Sequence, residues 1–204
     1  MSSIVLSPGA TGAAAFTIEA PSTATSRVIT LPDATDTLVG KATTDTLTNK
    51  SIAATQLTGT IAVARLPAGS VLQVVQGSYS TQVSSSSATL ATTNLTASIT
   101  PSSATSKVLV IVSGASSYTQ AATRQISFAL FRGATNVYGS NLLGAQIYSN
   151  SADILAPHSM TFLDSPATTS STAYALYFSS TNGGTVNFNQ NNNYSYIILM
   201  EIAA

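Results

Sequence analysis

Apolar positions along this chain follow two regimes. From Val71 onward, stretches rich in Val, Ile, Tyr and Phe alternate with polar residues and recur between turn signals. In Gln125–Arg132, Ile126, Phe128 and Leu130 fall on one face and Ser127 and Ala129 on the other. Tyr174, Leu176 and Phe178 likewise oppose Ala173, Ala175 and Tyr177. Alternation with period two is the mark of a strand with one buried face. The pattern predicts strands at 71–79, 88–91, 95–100, 107–113, 125–132, 136–138, 159–164, 174–180, 185–189 and 194–202. Arg132-Gly133-Ala134-Thr135 and Asn182-Gly183-Gly184 read as turns that need positive φ. Evenly spaced short strands without a helical period predict a β-sandwich or jelly roll.

Before Val71 the apolar residues thin out. Ile4-Val5-Leu6, Phe16-Thr17-Ile18 and Val28-Ile29-Thr30-Leu31 are short alternating pieces punctuated by Pro8-Gly9, Pro21 and Pro32. The phrase Thr35-Asp36-Thr37-Leu38 then returns as Thr44-Asp45-Thr46-Leu47. A repeat with one large apolar residue per copy cannot bury that residue alone and needs a neighbour, most simply the same segment of another subunit. Leu38 and Leu47 are therefore candidate contacts of an oligomeric shaft; the alternative is a flexible Ser/Thr linker. Leu66-Pro67-Ala68-Gly69-Ser70 breaks the pattern and divides the chain into an N-terminal region, 1–68, and a C-terminal domain, 69–204.

Two strands depart from alternation. Val108-Leu109-Val110-Ile111-Val112 and Tyr196-Ile197-Ile198-Leu199-Met200 are apolar on both faces. A sandwich buries only the inner face of each sheet, so the second face calls for a covering loop or another subunit. Val110, Tyr196, Ile198 and Met200 are accordingly candidate subunit contacts. The fold class expected is all-β: a β-rich trimeric shaft followed by a jelly-roll knob.

Composition narrows the chemistry. Serine (31) and threonine (30) dominate the polar residues, while 7 basic and 7 acidic residues cancel. Nothing here favours a nucleic-acid partner, whose binding rests on clustered positive charge. The absence of cysteine excludes a disulfide framework or thiolate metal site. No run is long enough to span a bilayer, and MSSIVLSPGA lacks a secretory signal. The chain reads as made in the cytoplasm, with no membrane insertion and no cofactor.

The segments Phe16-Thr-Ile-Glu-Ala-Pro21 and Ile29-Thr-Leu-Pro-Asp33, with TDTLVGKATTDTLTNKSI after them, resemble linker and shaft segments of bacteriophage tail fibres. The resemblance is greatest to phages of cyanobacteria and marine bacteria. Ile99-Thr-Pro-Ser-Ser103, Ser106-Lys-Val-Leu-Val110, Phe131-Arg-Gly133, Leu163-Asp-Ser-Pro166 and Tyr196-Ile-Ile-Leu-Met-Glu-Ile202 resemble a C-terminal domain of such virion proteins. That domain is of the trimeric tumour-necrosis-factor-like jelly-roll type. The resemblance implies a homotrimeric fibre, attached through its N-terminal part to other virion proteins, with its knob outward on the tail or capsid.

Catalytic groups are few. The single histidine, His158, has no nucleophile-elbow motif to serve. Asp153, Asp164 and Glu201 are the only carboxylates after Gly69, and glycoside hydrolysis needs two of them placed about a sugar bond. Nothing in the sequence brings them together, so no enzymatic activity is expected; a host-glycan depolymerase is the residual alternative. Glycan or protein recognition asks instead for aromatic faces and amides. Candidate receptor-binding residues are Asn187, Phe188, Asn191 and Tyr194 in an Asn-rich run, Tyr138 and Tyr148 about the long 139–157 connection, and Tyr118. The non-adhesive alternative is a capsid decoration or tail adaptor.

Overall fold

The structure, a computed structural model, describes residues 51–53, 55, 58–59, 61–119, 124–139, 145–150, 153–181 and 183–204. The chain divides into two units, Met1–Leu57 and Thr58–Ala204. Leu38 and Leu47, and the shaft expected around them, lie outside the described residues.

The second unit is a β-sandwich, with eleven strands among the described residues: β1 (Val71–Tyr79), β2 (Val83–Ser85), β3 (Ala91–Ile99), β4 (Lys107–Thr119), β5 (Arg124–Arg132), β6 (Thr135–Tyr138), β7 (Gln146–Ser149), β8 (Ile154–Asp164), β9 (Thr172–Ser180), β10 (Val186–Phe188) and β11 (Ser195–Ile202). Every pairing is antiparallel. In one sheet β1 pairs β11, β11 pairs β4, and β4 pairs β8, while β10 continues the β11 edge of β4 and β2 flanks β10. The other runs β3–β9–β5, and the free edge of β5 is shared by β6 and β7. Taking β1/β2, β6/β7 and β10/β11 as interrupted ribbons leaves eight, ordered first–eighth–third–sixth in one sheet and second–seventh–fourth–fifth in the other. That order is a jelly roll.

The strand expectations match at 71–79, and within a residue or two at 125–132, 136–138, 174–180, 185–189 and 194–202. Residues 88–90 are not strand; β3 runs unbroken from Ala91 to Ile99, across the break expected between 91 and 95. The supposed long connection 139–157 contains β7 and the first four residues of β8. Pro157 disguises that start. Its missing N–H is tolerated because β8 is an edge strand, and Pro157 falls where the β4 register shifts between Gly114 and Ser117.

Side chains of both inner faces make the core. Val108, Val110, Val112, Ile197 and Leu199 meet Phe128, Leu130, Leu176 and Phe178, all within 1% of complete burial. Val110 belongs to this core, so it is removed from the candidate subunit contacts: a residue facing the opposite sheet cannot meet another subunit.

Hydroxyl side chains serve the backbone. Thr93 and Thr96 donate from Oγ1 to the carbonyls of Leu176 and Tyr174 at 2.7 and 2.8 Å, across an irregularity in the β3–β9 ladder. Thr residues here do the work of absent ladder hydrogen bonds. Gly77 marks the point where β1 crosses β3: a Cβ there would lie 2.1 Å from the carbonyl oxygen of Thr96.

At the end where β1 begins and β11 finishes, two polar clusters tie elements together. Asp164 on β8 accepts from Arg132 Nη1 and from the Tyr174 hydroxyl, each at 2.7 Å. These bonds join one sheet to the other. Burial, then the carboxylate, push the Tyr174 hydroxyl well above its ordinary pKa, so it stays a donor. The second cluster surrounds Glu201, which is fully buried. It accepts from Gln73 Nε2 at 2.6 Å, from Ser102 N at 2.7 Å and from Ser102 Oγ at 2.6 Å.

Candidate functional site

The feature a lone sandwich leaves unexplained is the outer face of the β1–β11–β4–β8 sheet. Register places Val74, Met200, Leu109 and Leu163 in one row across all four strands. The adjacent row is Gln76, Ile198, Ile111 and Thr161. Seven of these eight side chains present carbon or methyl surface away from the core. Val74 and Leu163, at the two ends of their row, are 58% and 49% exposed. Met200, Ile198, Leu109 and Ile111 are half-buried by their neighbours. The doubly apolar strands of the sequence thus resolve cleanly: alternate residues line the core and the rest form this stripe. Ile198 and Met200 lie on the face expected of them, and the sequence reasoning missed Val74 and Leu163. Leu163 stands among Thr, Phe and Asp, and only the register assigns it to the row.

The next row is Ser78, Tyr196, Ser113 and Ser159. Tyr196 is exposed, and its ring stacks on that of Tyr194, with centroids 6.3 Å apart and planes 16° from parallel. Tyr194 is 61% exposed, the most open large hydrophobic side chain among the described residues. Small serines beside two tyrosines leave the ring faces accessible.

Farther along the same face Ser84, Asn187, Tyr118 and Leu155 are aligned by the β2–β10–β4–β8 pairing. The Tyr118 hydroxyl donates to Asp153 Oδ2 at 2.6 Å. That bond, with burial and the carboxylate charge adding to it, raises the Tyr118 pKa. Asn187 Nδ2 donates to Gln190 Oε1 at 2.8 Å, while its Oδ1 is shielded and has no hydrogen-bond partner. Tyr118 and Asn187 are therefore brought together, joined by Asp153 and Gln190. Phe188 is not with them. It alternates with Asn187 along β10, lies fully buried against Phe178, and is withdrawn as a receptor contact.

The Asn-rich run is mostly backbone engineering. Asn189, Asn191 and Asn192 all adopt positive φ, a conformation Asn tolerates better than most residues. Asn189 is buried, donating to the Tyr79 carbonyl at 2.8 Å and accepting from the Ser195 hydroxyl. Asn192 Oδ1 accepts from Gln82 N at 3.0 Å, and Asn191 N donates to Gln82 Oε1 at 3.3 Å. Asn191 is exposed but holds the turn. The remaining candidates scatter. Tyr148 is 52% exposed on the outer face of the other sheet, opposite Gln125. Tyr138 is exposed at the β6 edge, its ring 5.4 Å from that of Phe162.

The carboxylates divide in an unexpected way. Glu201, Val108 and Asp164 occupy one row on the inner face, so two of the three acids stand two strands apart, roughly 10 Å at Cα. Each is buried and committed to the hydrogen bonds described above. Asp153 lies at the opposite end of β8. His158 is buried in the core and has no carboxylate beside it in its hydrogen bonding. A cavity of about 380 Å³ is lined by Ser102 and Ser106, which bond Glu201, together with Val63, Leu66, Leu72 and Ala204 among others. Its lining has no acid, base or histidine. Among the described residues no group of three acidic, His or Cys side chains could hold a metal ion.

No family model matches the chain, and no curated protein matches it. Among solved structures it is similar to the D431N mutant VP2 protein of infectious bursal disease virus, in derived T=1 particles, at 12% identity and a TM-score of 0.29. The match covers 72% of this chain and 41% of that one.

Proposed function

We propose that this chain is a non-enzymatic virion fibre protein that assembles as a homotrimer and binds the host surface through its knob. The observation that supports assembly is the pair of apolar rows on the outer face of the β1–β11–β4–β8 sheet. Contiguous apolar surface rimmed by polar residues is the mark of an interaction site, and a second and third copy of the same chain would cover it symmetrically. The N-terminal region, with its recurring leucines, would continue the three-chain contact and attach to other virion proteins on the tail or capsid surface.

The adhesive face is the one carrying Tyr118, Asn187, Asp153 and Gln190, with Tyr194, just before β11, stacked on Tyr196. An aromatic ring beside an amide and a fixed carboxylate can stack on a sugar ring and bond its hydroxyls, or hold a protein loop of similar polarity. Three such sites on one particle reach useful avidity from weak individual contacts.

Binding of fluorescently labelled full-chain protein to host cells tests the adhesive part. Tyr118→Ala is expected to weaken binding about tenfold per site, the loss of one aromatic contact and one hydrogen bond. Tyr148→Ala, on the other sheet, is expected to leave it unchanged. The reverse result would move the site to the opposite sheet. A trimer that binds no cells would leave the capsid-decoration or tail-adaptor reading.

A further inference from the structure

We propose that His158 is a proton-sensitive latch that holds edge strand β8 in the sandwich and releases it on acidification. The geometry is specific to this residue. The imidazole lies inside the core, stacked on Phe128 at 3.9 Å with planes 12° apart, and 5.7 Å from the ring of Phe188. Phe128 belongs to the other sheet, so this stack spans the sandwich. Gly114, directly opposite on β4, supplies the space: a Cβ there would stand 1.8 Å from His158 Cε1. Nδ1 is 3.2 Å from Ser117 Oγ, and Nε2 is buried without a hydrogen-bond partner.

The latch sits where β8 has least other support. Among the described residues β8 is an edge strand that pairs only with β4. The β4–β8 register shifts between Gly114 and Ser117, so the ladder is interrupted beside His158. Ring packing there substitutes for backbone hydrogen bonds. A proton would place a desolvated charge in the core and leave the Nε2 donor unsatisfied; these two costs exceed the attraction of an imidazolium for the Phe128 face, so protonation favours the open strand.

No opposing charge meets the ring. β4 offers Gly114 and Ser117, and Tyr118 turns to the outer face toward Asp153. β5 offers Phe128, with Arg124 and Arg132 four residues to either side. β10 offers Phe188 and carries no titratable group. On β8 itself Asp164 is bonded to Arg132 and Tyr174. Burial therefore acts uncompensated and pushes the imidazole down to about 4.

The sign follows directly. An open, hydrated imidazole takes its proton near pH 6.5, while the closed one stays neutral to about 4. Closure is complete above pH 6.5, weakens as pH falls through that window, and weakens no further below about 4. At pH 5 the open population is expected to be about 30-fold that at pH 7.5.

Hydrogen–deuterium exchange of the full chain, corrected for intrinsic rates, reads this as about 30-fold faster opening of β8 at pH 5, with β9 and β11 changing less. His158→Phe keeps the stack and cannot titrate, so its β8 is expected to open equally at both pH values. Should that variant not fold, the wild-type ring resonance serves, because the chain has one histidine. Its midpoint is expected near 4, together with β8 opening. Equal β8 protection at pH 7.5 and 5, the same acid response in His158→Phe, or a ring titrating near 6.5 in the closed state would each overturn the latch.

Discussion

Glu201→Ala is expected to destabilise the sandwich by about 4 kcal/mol, the range for removing one partner from a buried charged network. The carboxylate is fully buried and organises three elements at once. It accepts from Gln73 on β1, from the backbone and hydroxyl of Ser102 in the β3–β4 connection, and from Ser106 beyond it. Burial alone would raise its pKa, but these donors outweigh burial and hold the carboxyl below its ordinary range. Alanine would remove the acceptor that Gln73, Ser102 and Ser106 share, leaving Gln73 only the Thr100 carbonyl. Against a total stability of 5–15 kcal/mol for an ordinary domain, that loss lowers the thermal midpoint by about 10 °C. Glu201→Gln keeps the shape but sets an amide donor against other donors, and should cost about half as much. Because the folded carboxyl titrates below its unfolded value, its contribution is present at neutral pH and lost only as pH falls through the low carboxylate range. This window lies below that of His158, so acid melts of the two single variants separate them. An unchanged melting temperature in Glu201→Ala would mean that the cluster is wet and dispensable.

Alternation made most of the sandwich legible. Where one face is buried and the other is less so, the period of two survives in the residues, as in Ala173–Phe178; in β5 residues 126–130 are buried on both faces, and there it is the size of the side chain that alternates. It failed where backbone geometry replaces pattern. β3 contains Asn94 at positive φ amid a register shift, and its polar residues 92–94 read as a break although the strand continues. β7 is four residues long, and the start of β8 is masked by Pro157. The candidate site was legible only in part. Tyr118 and Asn187 were identified as residue types, but their adjacency depends on the β10–β4 pairing, which joins residues 69 positions apart. The amide run misled for a physical reason: Asn suits a receptor loop and also suits positive φ, and at Asn189 and Asn192 the second use prevails. Phe188 was avoidable, since a strand through 185–189 already sets Asn187 and Phe188 on opposite faces. Glu201 shows the converse. Its place among Met200 and Ile202 marks an inward-facing acid, yet its partners, from Gln73 to Ser106, are known only from the fold.

The double variant Val74→Glu/Leu163→Glu is expected to convert the assembled protein into a folded monomer. The choice of positions decides what the experiment measures. Val74 and Leu163 end the apolar row and are about half exposed in the single subunit, so a carboxylate at either stays hydrated and costs the isolated sandwich well under 1 kcal/mol. In an assembly covering the row, the same charges lose their water with no cation in the row itself to receive them. Among the seven basic residues, the strands hold only Lys107, Arg124 and Arg132; Arg132 is already paired with Asp164, and Lys107, one row beyond Leu109 on β4, is a single cation against two carboxylates per subunit. About 3 kcal/mol for each buried charge, six of them per trimer, exceeds what a modest interface supplies. Light scattering should read three chain masses for the unmodified protein and one for the variant, with the β-sheet circular dichroism of both alike. Mutation of Gln76 and Ser78 to Glu, farther toward the polar end of β1, supplies the gradient: Gln76→Glu should weaken assembly less, and Ser78→Glu less again. The order matters more than any single value, because it follows the rows of the sheet. A monomer mass for the unmodified chain would remove the trimer outright. A trimer indifferent to all four charges would keep the oligomer but move its contact off this face, to the N-terminal leucines at 38 and 47.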